Sequence, residues 1–154
     1  EGKLNISDTV NTGNIVIDSL VGYWKKVAED RGIEFQIEID VPMDMPFRGA
    51  DISLILGNLL ENAVEAADKA KQKKYIQFKL KYDKKNLLIV VKNNYRGELI
   101  RGKGEVLRTT KSDAVNHGIG LPSVRRTVEK YQGTMAIDDS MPNCFVVRVV
   151  LYGT

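Results

Sequence analysis

Residues 52–71, ISLILGNLLENAVEAADKAK, constrain this chain more than any other stretch. Apolar side chains recur there at spacings of three and four, the repeat of one helix face. Ile52, Leu56, Leu59, Leu60, Ala63, Ala67 and Ala70 form a broad apolar stripe, while Asn58, Asn62, Glu65 and Lys69 share the opposite side. One side of this helix must lie in a core. The other side is odd, because Asn is a poor helix former whose amide competes for backbone hydrogen bonds. Two Asn one turn apart accept a local penalty, and such penalties gather at functional sites. Taken alone, the helix fits equally well a surface that happens to carry two Asn.

The 154 residues are enough for one domain with a proper core. No apolar run is long enough to span a bilayer, and nothing at the start resembles a signal peptide. The single cysteine, Cys144, excludes an internal disulfide framework, and a reducing, cytoplasmic setting is expected. One His and one Cys argue against a zinc site of the usual ligand types. The net charge is only +3, and the basic residues are scattered, densest in KAKQKK at 69–74. There is no basic stripe interleaved with aromatics, so no nucleic-acid partner is expected.

Residues 1–12 are polar and are expected to form a flexible terminal segment, with a single domain over 13–154. Residues 13–31 read as a helix with Ile15, Leu20, Val27, Trp24 and Tyr23 along one side and Gly32 as its stop. IEFQIEID, 33–40, alternates as a half-buried strand does. Pro42 and Pro46 punctuate a loop, and Asp51 or Ser53 can cap the next helix. Strands are expected over 75–82 and 87–92, joined by a hairpin turn at 83–86. The second strand, LLIVV, is apolar throughout and is expected inside the sheet. From 95 to 117 there is no periodicity, and Arg96, Arg101, Lys103, Arg108 and Lys111 lie there. A loop of that length inside a compact domain is a lid, a binding loop or disordered. Gly118-Ile119-Gly120 opens a helix over 121–132 with Leu121, Val124, Val128 and Tyr131 on its buried face and Gly133 as its stop. Strands over 134–138 and 145–152 close the chain. The order of elements predicts an α/β two-layer sandwich: a mixed, mostly antiparallel five-stranded sheet with three helices on one face.

Three features then converge. Carboxamide oxygens are neutral, hard ligands that can help hold Mg²⁺ whose other ligands are phosphate oxygens and water. Glycines at a helix start let phosphates approach the free N–H groups and the positive end of the helix dipole. Thr109, Thr110 and Lys111 lie just before those glycines, and Lys is a natural phosphate partner, although a flexible polar loop accounts for the same charges.

NLLENAVEA (58–66) resembles the N box of the GHKL, or Bergerat-fold, ATP-binding domain, and NHGIGL (116–121) resembles that family's second glycine box. With the preceding TTK, the pair most resembles the catalytic domain of bacterial sensor histidine kinases, in their quorum- and peptide-sensing branch. The resemblance covers nearly the whole chain. It implies ATP and Mg²⁺ as cofactors, with Asn62 the metal ligand, Asn58 assisting it, and Lys111 completing the catalytic set. His117, Gly118, Ile119, Gly120 and Leu121 would border the phosphates. Many members have a phosphate-binding Lys where this chain has Glu65, which leaves charge compensation to Lys111 and Arg108. Asn93 stands where most members have the Asp of a D-x-G-x-G box, which accepts from the adenine amino group; an Asn carbonyl oxygen accepts likewise. Tyr95 replaces that box's first glycine, Gly97 matches its second, and Cys144 stands about where relatives carry a Thr near the base.

Asn58 occupies the position at which hydrolytic relatives, such as gyrase and mismatch-repair ATPases, have a water-activating Glu. Asn takes no proton at neutral pH, so weak hydrolysis is expected, with Glu61 an outer carboxylate. His117 abuts the phosphate-binding glycines and is not expected to accept phosphoryl. By the resemblance, the acceptor His lies in a separate helical dimerisation domain, absent here, with a response regulator downstream. The isolated domain is expected to be a monomer and the intact protein a membrane-anchored homodimer. Rival readings are a GHKL serine kinase or hydrolytic ATPase, a non-catalytic nucleotide-binding module, and an unrelated α/β interaction domain.

Overall fold

The computed structural model describes residues 10–95 and 120–153. The chain runs α1 (Ile15–Asp30), β1 (Glu34–Asp40), α2 (Gly49–Asp68), β2 (Tyr75–Asp83), β3 (Asn86–Asn94), α3 (Gly120–Lys130), β4 (Thr134–Asp138) and β5 (Cys144–Tyr152). The five strands form one sheet in the order β1-β2-β3-β5-β4. Only β1 and β2 are parallel; the other three pairings are antiparallel. The two-layer α/β architecture expected from the sequence is therefore the one adopted, with β3 at the sheet centre as its apolar run predicts.

The core lies between sheet and helices. Ile55, Leu56, Leu60 and Val64 of α2 meet Phe78 and Leu80 of β2, Leu87 and Ile89 of β3, and Val149 and Leu151 of β5. Burying each of these large side chains stabilises the fold by about 1.5–3 kcal/mol. The two Asn in α2 cost well under about 1 kcal/mol each in helix propensity, so burial wins by a wide margin.

Several local expectations are corrected. Helix α1 starts at Ile15, because Asn14 caps it through its side-chain oxygen, which accepts from the N–H groups of Val16 and Ile17. Its buried face is Ile17, Val21 and Ala28, with Leu20, Trp24 and Val27 packed beside it. Ile15 and Tyr23, expected on that side, are 77% and 60% exposed. Each sits two residues from a buried position, about 200° around a helix.

Gly32 does stop α1: it takes φ +74°, and the N–H groups of Gly32 and Ile33 close on the carbonyls of Glu29 and Ala28. Helix α3 ends in the same pattern, but there Gln132 takes the left-handed conformation, at φ +56°. Gly133 has a different task. A Cβ on it would stand 2.1 Å from the carbonyl oxygen of Val150, so glycine is needed for close approach to β5.

Neither Asp51 nor Ser53 caps α2. Arg48 occupies the N-cap with no side-chain cap bond. Asp51 instead turns away, buried, and accepts hydrogen bonds from Lys130 Nζ at 2.8 Å and from the Tyr131 hydroxyl, a short contact. The Arg48 backbone N–H in turn donates to the Tyr131 oxygen at 3.1 Å. This latch ties the start of α2 to the end of α3 across 79 and 80 residues of sequence.

Burial pushes the Asp51 carboxyl up, but the hydrogen bonds from Lys130 and Tyr131, with the charges of Lys130 and Arg48, outweigh it and leave the carboxyl below its ordinary 3.8. A carboxyl depressed in the folded state adds stability above its unfolded value, and that stability is lost as pH falls through the folded value. Lys130 is more than half exposed, so solvent screens most of its share. Asp51→Asn is expected to cost about 1–2 kcal/mol at neutral pH, chiefly through the Tyr131 bond. In denaturant melts, the difference from the parent chain should shrink as pH is taken from 3.8 downwards; a penalty constant with pH would show that the charge plays no part.

Candidate functional site

Asn58 and Asn62 project one turn apart from the middle of α2, both half-buried, with Glu65 half-buried and Lys69 exposed further along. Asn58 is held in one orientation. Its Nδ2 donates to the Leu54 carbonyl, one turn back, at 2.8 Å. Only the amide nitrogen can donate to a carbonyl, so Oδ1 is the atom turned away from Leu54 as an acceptor. That oxygen faces the start of α3: a Cβ added at Gly120 would stand 2.8 Å from Asn58 Oδ1 and 3.2 Å from its Cγ. A glycine thus lets the first backbone unit of α3 come up against the carboxamide side of α2.

Helix α3 then runs back along α2, so its two ends are pinned at different heights. Gly120 meets Asn58, and Lys130 and Tyr131 meet Asp51. Val124 and Val128 are buried between, and Leu121 is packed against the core.

The end of β3 supplies the other wall. Along β3, Leu87, Ile89, Val91 and Asn93 alternate onto the buried side, so Asn93 continues the core face at the strand's end. It is 2% exposed, and its Nδ2 donates to the backbone carbonyl of Asn94 at 3.0 Å. Strand β3 runs two residues past the expected Lys92, because Asn93 and Asn94 still pair with Phe145 and Cys144 of β5. The neighbouring Asn94 does a different job: its Oδ1 accepts from the Tyr75 N–H at 3.0 Å, and its Nδ2 donates to the Lys73 carbonyl. It clips the entry of β2 to the end of β3.

Beside it the Tyr75 hydroxyl donates to Cys144 Sγ at 3.8 Å. Burial first, and then the Cys144 sulfur, push the Tyr75 hydroxyl up to about 12, so it stays a neutral donor. Tyr95 is buried with its ring edge-on to Phe145, centroids 6.0 Å apart.

Of the residues expected at the site, the described structure thus brings Asn58 and Gly120 into contact and puts Asn93 on the core side of the sheet. Lys111, His117, Gly118 and Ile119, with Arg108, Thr109, Thr110 and Gly97, lie outside the described residues. Sequence reasoning missed the Asp51–Tyr131–Lys130 latch and the Asn94 clip. Nothing in the local sequence marks either, because both are made by partners distant along the chain. Among the described residues, no cluster of three or more His, Cys, Asp or Glu could hold a metal. What α2 offers a cation is neutral amide oxygen, to be completed by ligands that a bound group brings with it.

A family model described as "GHKL domain" matches residues 47–152. The chain belongs to the GHKL family. Its fold is that of histidine kinase catalytic domains. The nucleotide-free catalytic domain of histidine kinase ThkA superposes with a TM-score of 0.64 at 19% identity, covering 90% of each chain. The histidine kinase AdeS of Acinetobacter baumannii superposes at 0.62 with 14% identity, over 90% of this chain and 65% of that one. Among curated proteins, the sensor protein PhoQ of Escherichia coli K12 is 23% identical over 132 residues, as is the virulence sensor protein PhoQ of Shigella flexneri. The match takes in 82% of this chain but only 26% of either PhoQ, so the GHKL chain spans about a quarter of the length of these relatives. No helix among the described residues is long and apolar enough to cross a membrane.

The contact between Gly120 and Asn58 is directly testable. In Gly120→Ala the added methyl must displace the carboxamide from its bond to Leu54, since the carboxamide is the flexible partner. Helix propensity favours Ala by up to about 1 kcal/mol and offsets the cost. The melting temperature is expected to stay within about 3 °C of the parent, while the Asn58 side-chain amide resonances move in nitrogen-edited NMR spectra. Unmoved resonances would mean that the two residues do not touch.

Proposed function

We propose that this GHKL chain is the catalytic domain of a sensor histidine kinase, which binds Mg-ATP and offers its γ-phosphoryl to an imidazole on a separate domain. The observation that carries this reading is the approach of Gly120 to the Asn58 carboxamide oxygen. It brings one neutral amide oxygen against the glycine start of a helix, and an anion with its cation would use both.

The donor set fits such a group. Asn62 would hold Mg²⁺ through its carboxamide oxygen, and Asn58 would assist with an Oδ1 already turned away from its own backbone. The N–H groups of Gly118, Ile119, Gly120 and Leu121 would receive phosphate oxygens, with His117 at their edge. Lys111 and Arg108, in a lid over 95–117, would supply positive charge above them, and Glu65 would border the site. The Asn93 oxygen would accept from the adenine amino group, since its Nδ2 is committed to the Asn94 carbonyl. Bound Mg²⁺ would neutralise charge on the triphosphate. The chain's own part is positioning, as in phosphoryl transfer generally. Asn58 has no basicity with which to take a proton from water, so the site holds the nucleotide intact until another nucleophile arrives.

In this reading residues 13–154 act as one unit on the cytoplasmic side. The partners are a helical dimerisation domain that carries the acceptor His and a response regulator downstream. The likeness to ThkA, AdeS and PhoQ supports the assignment.

Asn62→Ala is expected to lose Mg²⁺-dependent ATP binding in calorimetry, by about tenfold or more, and to melt as the parent does. Undiminished affinity would remove Asn62 from its role. The isolated domain should hydrolyse ATP negligibly in a phosphate-release assay, yet label a helical acceptor domain from radiolabelled ATP. Turnover of several per second would indicate a hydrolytic ATPase, and binding without labelling a nucleotide-binding module.

A further inference from the structure

The sheet's second face is the feature that nucleotide chemistry leaves unused. An antiparallel sheet covered on one side should alternate, apolar inward and polar outward. Edge strand β1 does so, presenting Glu34, Gln36, Glu38 and Asp40 outward. Strands β3 and β5 do not. Leu87, Ile89 and Val91 of β3 are buried on the helix side, and so are Val147, Val149 and Leu151 of β5. The residues between them face the other way, and Leu88, Val90, Val146 and Val150 among these are apolar too. These four are half-buried, and they belong neither to the core nor to the side chains packed against it.

The strand register assembles them into one patch. Leu88 stands between Lys81 and Val150, Val90 between Lys79 and Arg148, and Val146 next to Lys92. Aliphatic residues thus alternate with four cations across β2, β3 and β5, and Thr134, Ala136 and Asp138 of β4 border them on the far side. Among the described residues the domain's ion pairs, such as Lys25–Glu29 and Lys130–Asp51, leave all four cations out. Arg148 lends its charge only to lowering the exposed Asp138 carboxyl, behind the hydrogen bonds from Ser140. Apolar surface interleaved with cations that no close ion pair among the described residues engages has the composition of a docking face, not of a solvated one.

We infer that the outer face of β3 and β5 docks an acidic protein segment whose apolar side chains cover Leu88, Val90 and Val150 and whose carboxylates meet Lys79, Lys81, Lys92 and Arg148. An anionic bilayer fits less well. Glu38 and Asp40 stand in register beside Lys79 and Lys81 on the same face, and they would be pressed against lipid phosphate. A protein can turn a neutral or basic edge towards that acidic column while meeting the cations with acid.

Two measurements on the 154-residue chain test this. The first asks whether the patch serves the fold. Leu88→Thr/Val150→Thr, which keeps β propensity, should leave the melting temperature within about 2 °C of the parent. A fall of more than about 5 °C would assign the patch to the chain's own packing and overturn the inference. The second uses a synthetic amphipathic helix carrying Leu flanked by Glu, and its counterpart with Lys for every Glu, titrated into labelled chain. The acidic peptide should shift the amides of β3 and β5, the basic one should not, and Lys79→Glu/Arg148→Glu should weaken binding about tenfold or more. Shifts confined to the start of α3, or equal shifts with both peptides, would refute it. So would stronger retention of these same residues on phosphatidylglycerol vesicles, which would make the face a membrane contact. Failure here leaves the nucleotide reading intact, because no residue of the patch belongs to that site.

Discussion

Everything in this domain turns on the two-sidedness of α2. Its inner side is packed so fully that Ile55, Leu56, Leu60 and Val64 have no exposed surface at all. A helix held that firmly cannot rotate or slide to bury its other side. The carboxamides of Asn58 and Asn62 are therefore kept at a fixed height above the sheet. Helix α3 is fastened against the same helix at two points, Gly120 at Asn58 and the Tyr131–Lys130 pair at Asp51. The first point needs the absence of a side chain, and the second needs a buried charge with donors. Together they set where the backbone of α3 begins relative to the carboxamides.

That arrangement has a chemical consequence. What α2 and the start of α3 present to each other among the described residues is an amide oxygen and backbone, with no base at their contact. In the proposed function, such a surface would cradle a polyanion with its cation without offering a base to water. The hydrogen bond from Asn58 to Leu54 strengthens the point, because it spends one of the amide's two N–H donors inside the helix and turns the acceptor oxygen outward. Asn93 repeats the device at the end of β3, giving one of its two N–H donors to the Asn94 carbonyl. In both places Asn does what a carboxylate could not, since a carboxylate has no donor for a backbone carbonyl.

Much of this was legible in the residues themselves. Spacings of three and four in 52–71 exposed the helix and both of its faces, and strict alternation in IEFQIEID exposed β1. The apolar run in β3 located the sheet centre, and its lack of alternation already held the puzzle of the second face. Motif spacing brought Asn58 and Gly120 to one site. Other features were misread for definite reasons. Ile15 and Tyr23 were placed on the buried side of α1 because an apolar residue suggests burial, whereas the angle from Ile17 and Val21 turns them outward. Gly133 was read as a helix stop, whereas Gln132 makes the turn and Gly133 makes room for β5. Asp51 was read as a cap because caps are local, and its true partners are 79 and 80 residues away.

Periodicity and motif depend on neighbours along the chain, and by them the sequence alone determined the element order, the core faces, the family and the pairing of an Asn-bearing helix with a glycine-led one. Which Asn continues the core side of β3 and which clips strands together was decided only in three dimensions, since Asn93 and Asn94 are adjacent and chemically identical. The same holds for the latch at Asp51 and for the gathering of Leu88, Val90, Val146 and Val150 into one patch. Each depends on contacts between segments far apart in the chain, and those contacts are set by how the sheet and helices pack, not by any local run of residues.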